Sequence, residues 1–412
     1  MNRLSADDNQ PKSYNTISKF LKITSHGLSP FFILLIFGTT LFSPFAQAQI
    51  PDTIPPDSII AESIEYAFLP ALAYNSDLGL VGGGIMSRYH FKKNEHPFQS
   101  YLIVNAIAST KGLLSSSVFI DKPKIFDSQL RLTSDFYISR FLQNQYYGIG
   151  NYAKLTGEPD YYYYKSFSTG LEFILRKPLL MINTENSQLD AYGTANFDYR
   201  TPFGNNTGRF ISEDTPLGIN GIRTAALGTG LIWENRDNEF APTRGTYAKA
   251  GIKISQMLIG SSANYLKFES EGRAYTSFTL IKKVTFANRI SFTHTSGTLP
   301  YWQLAEIGGE ATMRGYPENR FRDDNALFLN SELRTWFLEF PAYDVRIGGT
   351  LFADIGNTFS NGTAFKNIFK NPKYSFGFGG NSSFFNENFI FRGDIGFSDE
   401  GYGVYFTAGY MF

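Results

Sequence analysis

The stretch Tyr402–Phe412 (YGVYFTAGYMF) decides the fold class, because its apolar pattern repeats every two residues. Tyr402, Val404, Phe406, Ala408, Tyr410 and Phe412 share one face. Gly403, Tyr405, Thr407, Gly409 and Met411 share the other. Such alternation belongs to a β-strand with one large apolar face. The same pattern continues upstream. Phe389, Phe391, Ile395 and Phe397 alternate with Arg392, Asp394 and Gly396, and Val345, Ile347, Leu351, Ala353 and Ile355 alternate with Arg346, Gly348, Thr350 and Asp354. A soluble sandwich would point the apolar face at a core, whereas a membrane barrel would point it at lipid. Periodicity alone does not separate the two.

Features outside these strands favour the barrel. One continuous apolar stretch, Pro30–Phe42 (PFFILLIFGTTLF), follows Lys19, Lys22 and His26 and precedes Ala46-Gln47-Ala48. A basic region, an apolar run and a small-x-small site read as a secretory signal over residues 1–48. The run is short for a spanning helix, which needs about 20 residues. Residues 49–64, rich in Pro and Asp, read as a linker, and residues 65–412 as the barrel. From Glu65 onward, turn residues divide the chain into about sixteen strands, an even number as in bacterial single-chain barrels. Short turns alternate with the long connections 141–163, 201–220, 296–323 and 356–372, as expected of periplasmic turns and outer loops. The fold expected is all-β, a 16-stranded antiparallel transmembrane β-barrel with the sixth outer loop folded inward.

Composition removes other classes. Lys and Arg number 37, Asp and Glu also 37, so there is no basic excess to neutralise phosphates, and nucleic acid is not an expected partner. The absence of Cys excludes disulfides, zinc thiolates and thiol nucleophiles. The four His have no metal-ligand spacing. There is no Gly-x-Ser-x-Gly elbow, and His294 has no nucleophile beside it in sequence. No catalytic residue, metal or cofactor is expected, and the chain is not read as an enzyme. Aromatics at 17% and charged residues at only 18%, below the usual quarter, suit a wall that faces lipid.

The sixth outer loop, 296–323, contains Gly308-Gly309-Glu310-Ala311-Thr312-Met313-Arg314-Gly315-Tyr316. Parity puts Glu332 and Arg334 on one face of the following strand, and Phe352 and Asp354 on the polar face of the next. A loop bent inward would bring the Arg314 guanidinium to these carboxylates. Its planar fork donates in bidentate fashion and keeps its charge.

These residues carry a resemblance. The segment resembles the outer-membrane assembly-factor superfamily, the BamA/TamA type of bacterial surface-antigen barrel. That family carries Arg-Gly-Phe/Tyr at the tip of an inward sixth loop, matched here by Arg314, Gly315 and Tyr316. The resemblance implies a loop lock in which Arg314 pairs with Glu332 and with Asp354, the latter in a Phe352-x-Asp354-x-Gly strand. Glu234-Asn235-Arg236-Asp237, then Pro242 and Gly245, resemble the family's periplasmic turn motif. Tyr146-Tyr147-Gly148-Ile149-Gly150-Asn151 is similar to a further surface-antigen element. The stripe Phe406, Tyr410 and Phe412 is similar to the aromatic C-terminal signal read by barrel-assembly machinery. Family members usually carry POTRA domains before the barrel. The seventeen residues from Gln49 to Glu65 are too few for a domain, which takes about 50, so a variant lacking POTRA domains is expected.

The function implied is insertion or translocation of protein, or lipid, at the outer membrane of a Gram-negative cell. Outer-membrane lipid and a periplasmic or surface protein are the expected partners, with a second copy of the chain as a further candidate. The mechanism would be a weak seam between the first and last strands, since Pro70 cannot donate a ladder hydrogen bond. The alternative is a passive pore or dimerising structural barrel without client handling.

Overall fold

The computed structural model describes residues 62–412 except 93–94, 127, 152–154, 156, 183–186 and 385–389. The expected signal peptide, and the expected linker up to residue 61, lie outside the described residues. In chain order the strands are β1 (Glu62–Asn75), β2 (Gly79–Lys92), β3 (Glu95–Ser109), β4 (Leu113–Ile125), β5 (Leu130–Gln145), β6 (Tyr163–Ile182), β7 (Ser187–Pro202), β8 (Ile222–Glu234) and β9 (Gly245–Ser255). Then come β10 (Tyr265–Thr279), β11 (Lys283–Gly297), two short loop strands β12 (Ala305–Ile307) and β13 (Phe321–Asp323), and β14 (Asn325–Phe340), β15 (Val345–Phe359), β16 (Lys373–Ser383), β17 (Ile390–Ser398) and β18 (Gly401–Ala408).

Sixteen of these strands close into one antiparallel barrel. Sequence neighbours pair, β11 pairs with β14, and β1 meets β18. β12 and β13 pair only with each other. The cause is the alternation. In β16, Ser375, Gly377, Asn381 and Ser383 are buried, while Tyr374, Phe376 and Phe378 are exposed. Large apolar side chains therefore line the outside and small or polar ones the inside, the arrangement of a membrane barrel. Among the described residues no helix is long and apolar enough to cross a membrane, so strands are the spanning elements.

The outer connections are structured. They hold β12, β13 and two short helices, α1 (Phe210–Asp214) and α2 (Phe365–Ile368). Tyr146, Tyr164, Ile211, Tyr301 and Trp302 form a small core of their own there. The Tyr301 hydroxyl donates to that of Tyr164 at 2.6 Å. The run Tyr161–Tyr164 thus serves loop packing rather than a lipid-interface belt.

Both ends of the strand set differ from expectation. β1 opens at Glu62, three residues before the expected start of the barrel at residue 65, and runs to Asn75. β18 stops at Ala408, so the expected strand 402–412 is cut short. The break is at Gly409, whose φ of +82° is a left-handed conformation that glycine adopts without a Cβ penalty. Its amide donates to the Ile390 carbonyl at 2.8 Å. Phe406 still faces outward at 38% exposure, but Phe412 is 5% exposed and packs with Tyr275 and Ala287. The single aromatic stripe therefore splits: Phe406 keeps the lipid side, and Phe412 enters the lumen.

Candidate functional site

The connection between β11 and β14 delivers Arg314 to the barrel wall. The side chain is fully buried, so every donor must find a partner. Its Nε donates to Asp354 Oδ2 at 3.0 Å and its Nη2 to Asp354 Oδ1 at 2.9 Å, a bidentate fork. Nη1 donates to Glu332 Oε1 at 2.6 Å and to Asp394 Oδ2 at 3.1 Å. The Arg314 amide adds a bond to Asp354 Oδ2 at 3.2 Å. The guanidinium carbon sits 3.4 Å from the centre of the Phe352 ring, giving it an aromatic face as well. Phe352 and Asp354 both face inward on β15, as parity requires.

Three carboxylates around one guanidinium would leave excess negative charge. Two further arginines balance it. Arg334 Nε donates to Glu332 Oε2 at 2.8 Å, and Arg392 lies 3.1 Å from Asp394 in an ion pair. Asn330 donates to Asp354 at 2.9 Å and to the Thr312 carbonyl at 2.7 Å. A network of this kind need not raise net stability, but removing one member leaves charge buried without a partner. Its physical product is one fixed position for the loop.

Gly315 is required by shape. Its φ is +94°, and a Cβ there would lie 2.9 Å from the backbone carbonyl carbons of Gly396 and Phe397. A Cβ on Gly396 would in turn lie 2.8 Å from the Arg314 carbonyl carbon. Loop and β17 therefore touch backbone to backbone.

From this anchor the loop reaches the two strands of the seam. On the β18 side, Gly315 donates to the Tyr405 hydroxyl at 3.0 Å, Tyr316 donates to Asp399 at 2.5 Å, and Arg320 grips Glu400 at 2.6 and 2.7 Å. On the β1 side, Asn75 donates to Glu310 at 3.0 Å and the Glu318 amide donates to Asp77 at 3.1 Å. The loop thus staples the outer end of the seam from within. Below that end the seam is nearly unpaired. All fourteen residues of β1 pair with β2. Among the described residues only Asn75 pairs with β18, opposite Tyr405, helped by Ser76 bonds to Val404 at 2.8 and 3.1 Å.

The expected periplasmic turn motif lies between β8 and β9. Asp237 accepts from the Thr243 amide at 2.9 Å, the Thr243 hydroxyl at 2.6 Å and the Arg244 amide at 3.2 Å. Partial desolvation works the other way, but these bonds hold the Asp237 carboxyl below its ordinary range. Pro242 is buried inside the turn. Gly245 has φ of +103°, and a Cβ there would meet the Asn235 carbonyl oxygen at 2.0 Å. This motif shapes a turn at the end of the wall away from the Arg314 loop. The Tyr146–Asn151 element sits under the outer loops, where the Gly150 amide donates to the Arg322 carbonyl at 2.6 Å.

Reading the sequence missed Asp394, Arg392 and Tyr405. Arg392-x-Asp394 is an inward charged pair like Glu332-x-Arg334, and that pattern was the available signal. The contacts of Asn75, Asp77, Asp399 and Glu400 had none.

A family model described as the Omp85 superfamily domain matches residues 101–410. No curated protein matches the sequence. Among solved structures, BamA from Haemophilus ducreyi lacking POTRA domains 1–3 is similar, with a TM-score of 0.57 and 14% identity over 85% of this chain and 70% of that one. CdiB from Acinetobacter baumannii gives 0.54 and 13% identity, covering 85% of this chain and 65% of that one. CdiB from Escherichia coli gives 0.57 and 11% identity, covering 84% and 63%. This chain therefore spans less than two thirds of either CdiB chain. At such identities the likeness is one of fold.

Proposed function

The chain belongs to the Omp85 superfamily, and from that membership we propose that it inserts or translocates protein, or lipid, at the outer membrane together with a partner. A sixteen-strand barrel of this superfamily is an outer-membrane protein of the Gram-negative type. The observation that carries the functional reading is the asymmetry of the seam. Its outer end is held by the loop, while the lower part of β1, with Tyr66 and Phe68 at 65% and 72% exposure, has no strand of the described residues against its β18-side edge. An unpaired strand edge offers a row of backbone donors and acceptors that another chain can complete. Pro70 weakens that row further. A partner on the periplasmic side would deliver the client to this edge. A fixed loop keeps the lumen filled while the wall opens beside it. The Arg314 network is, on this reading, a positioning device and not a reaction centre.

The test is a lock. Carrying the Asn75–Tyr405 register down the seam sets Leu72 opposite Ala408. A barrel with Leu72→Cys and Ala408→Cys, placed in vesicles of phosphatidylethanolamine and phosphatidylglycerol, is offered an unfolded eight-stranded outer-membrane barrel, and insertion is read by protease protection. The reduced form should speed insertion and the oxidised form should not. Equal rates in the two forms would remove the seam from the mechanism.

A further inference from the structure

The acids of β5–β8 all stand on the inner face. Asp135, Glu172, Asp190, Asp198 and Glu234 fall on the opposite parity to Phe136, Phe173, Phe197 and Leu231, which are exposed on the lipid side. The cations of these strands divide between the two faces. On the inner face Arg131 donates to Asp121 at 2.9 Å, and Arg176 pairs with Asp190. On the outer face Arg140 shares its parity with Phe136 and Ile138, Lys165 with Phe173 and Leu175, and Arg223 with Leu227 and Leu231. All three of these cations are exposed, and none has a carboxylate partner among the described residues. They gather at the outer end of the wall. Lys165 is the third residue of β6, Arg223 is the second of β8, and Arg140 lies toward the end of β5.

Aromatic rings stand between these cations. The Arg140 guanidinium carbon is 5.0 Å from the centre of the Phe203 ring. The Phe203 amide donates to the Lys165 carbonyl at 3.0 Å, and Arg223 pairs with Tyr199 across the β7–β8 ladder. At the same end the outward face of β14–β18 shows Tyr374, Phe376 and Tyr402 and, among the described residues of those strands, no cation. A cation turned toward lipid without a partner is costly unless its long stem carries the charge into the headgroup layer. The counter-charge must then come from the lipid, and a headgroup phosphate supplies it. The guanidinium fork suits a phosphate, which it holds through two N–H groups. The breadth of the cluster selects the headgroup. Neighbouring strands lie about 4.8 Å apart, so Arg140 on β5 and Arg223 on β8 are separated by about 14 Å of wall. One phosphate cannot meet both. Two phosphates held apart on a rigid sugar can.

We infer that Arg140, Lys165 and Arg223 dock a lipid of the outer leaflet whose sugar headgroup carries two phosphates. Arg140 and Lys165, on neighbouring strands, take one phosphate, and Arg223 takes the other. Phe203 and Tyr199 lie between them at the level where sugar gives way to acyl chain, as the aromatic girdle of a membrane barrel does. β1–β4 stand between this surface and the seam. Lipid docking here and client insertion at the seam are therefore separate properties, and each can fail without the other.

The full barrel in dodecyl maltoside is titrated with lipid A, a glucosamine disaccharide lipid bearing two phosphates, and retained lipid is counted by native mass spectrometry. One lipid should stay with each barrel. Arg140→Gln, Lys165→Gln and Arg223→Gln should each weaken retention about fivefold, and the triple variant about a hundredfold. The three side chains are exposed and hold no ion pair, so the variants should keep the parent's melting midpoint. Lys177→Gln, exposed toward the other end of β6, should change nothing. Unchanged retention by the triple variant overturns the docking surface. An equal loss with Lys177→Gln reduces it to general charge and overturns it as well. Equal retention of the same lipid with one phosphate removed overturns the assignment of two phosphates. Equal retention of phosphatidylglycerol, or of cardiolipin with its two phosphates closer together, overturns the sugar headgroup.

Discussion

The wall at β14–β15 and the seam at β1–β18 are built from the same kind of strand, yet they are held in opposite ways. Backbone bonds join β14 to β15 from Asn325 opposite Phe359 to Phe340 opposite Val345. The inner face of that wall also carries Glu332 and Asp354, both closed on Arg314. Among the described residues the seam has one ladder pair and the Ser76–Val404 bonds, and the loop adds contacts to both of its strands. In the wall the ladder holds the strands and the side chains hold the loop. At the seam the loop holds the strands. A barrel arranged in this way keeps a rigid back wall and confines its softness to one line. The loop is the part that both regions share, so changing it should be felt in both.

Arg314→Ala should break the comparison most severely. It leaves Glu332, Asp354 and Asp394 short of their central cation inside the barrel, a loss on the scale of about 3–5 kcal/mol for a broken buried pair. The thermal midpoint of the barrel should fall, and steady single-channel currents should appear that the parent chain lacks. A variant that stays closed and equally stable would mean that the loop is held by something else. Gly315→Ala comes next. It forces a side chain into the left-handed region and against the β17 backbone, costing about 1–3 kcal/mol from the backbone conformation alone. Here the arginine keeps its partners, so the expected signature is faster proteolysis of the loop with a smaller drop in midpoint. Ser76→Ala acts on the seam itself. It removes the hydroxyl that receives the Val404 amide at 2.8 Å, worth about 1 kcal/mol. Amide exchange should quicken along β18 and stay unchanged along β14. Equal quickening in both would mean that the two regions are not mechanically separate.

Much of this was legible in the sequence because two simple rules cover most of it. Period-two alternation marks the strands, and parity along them puts Phe352 and Asp354 on the polar, inward face and Glu332 on one face with Arg334. The motif around Arg314 then names the residue they face. What was not legible depends on long-range register. Asp399 and Glu400 sit in a turn where charge is unremarkable, and only the folded loop makes them partners of Tyr316 and Arg320. Gly409 is the clearest case. The alternation Tyr402–Phe412 reads through it without a break, because a glycine fits a strand and a hinge equally well. Its backbone hand is set by the seat that Arg334, Tyr275 and Ala287 build from distant strands, and no local pattern encodes that seat.

The smallest effect expected concerns the staple on the β1 side, where Glu318 meets Asp77. Burial, followed by the charges of Asp77, Glu306 and Glu310, pushes the Glu318 carboxyl well above its ordinary 4.5, with Arg322 pulling only partly the other way. Burial raises Asp77 also, although bonds from the Glu318 amide and Gln145 oppose it. A raised folded value means that the folded chain binds the proton more tightly than the unfolded chain. The stabilisation is therefore complete below the unfolded value and is lost as pH rises toward the folded one. The staple should be tightest in acid and loosen through neutrality, the reverse of an ordinary surface ion pair. Proteolysis of the loop, followed from about pH 4 to pH 8, should accelerate with pH. Glu318→Gln should flatten that slope, because an amide imitates the neutral acid at every pH. The same variant should leave exchange along β14 untouched, since the hydrogen bonds of this pair run to Gln145 and not to the back wall. A slope that survives Glu318→Gln would assign the pH response to another group and detach it from the seam.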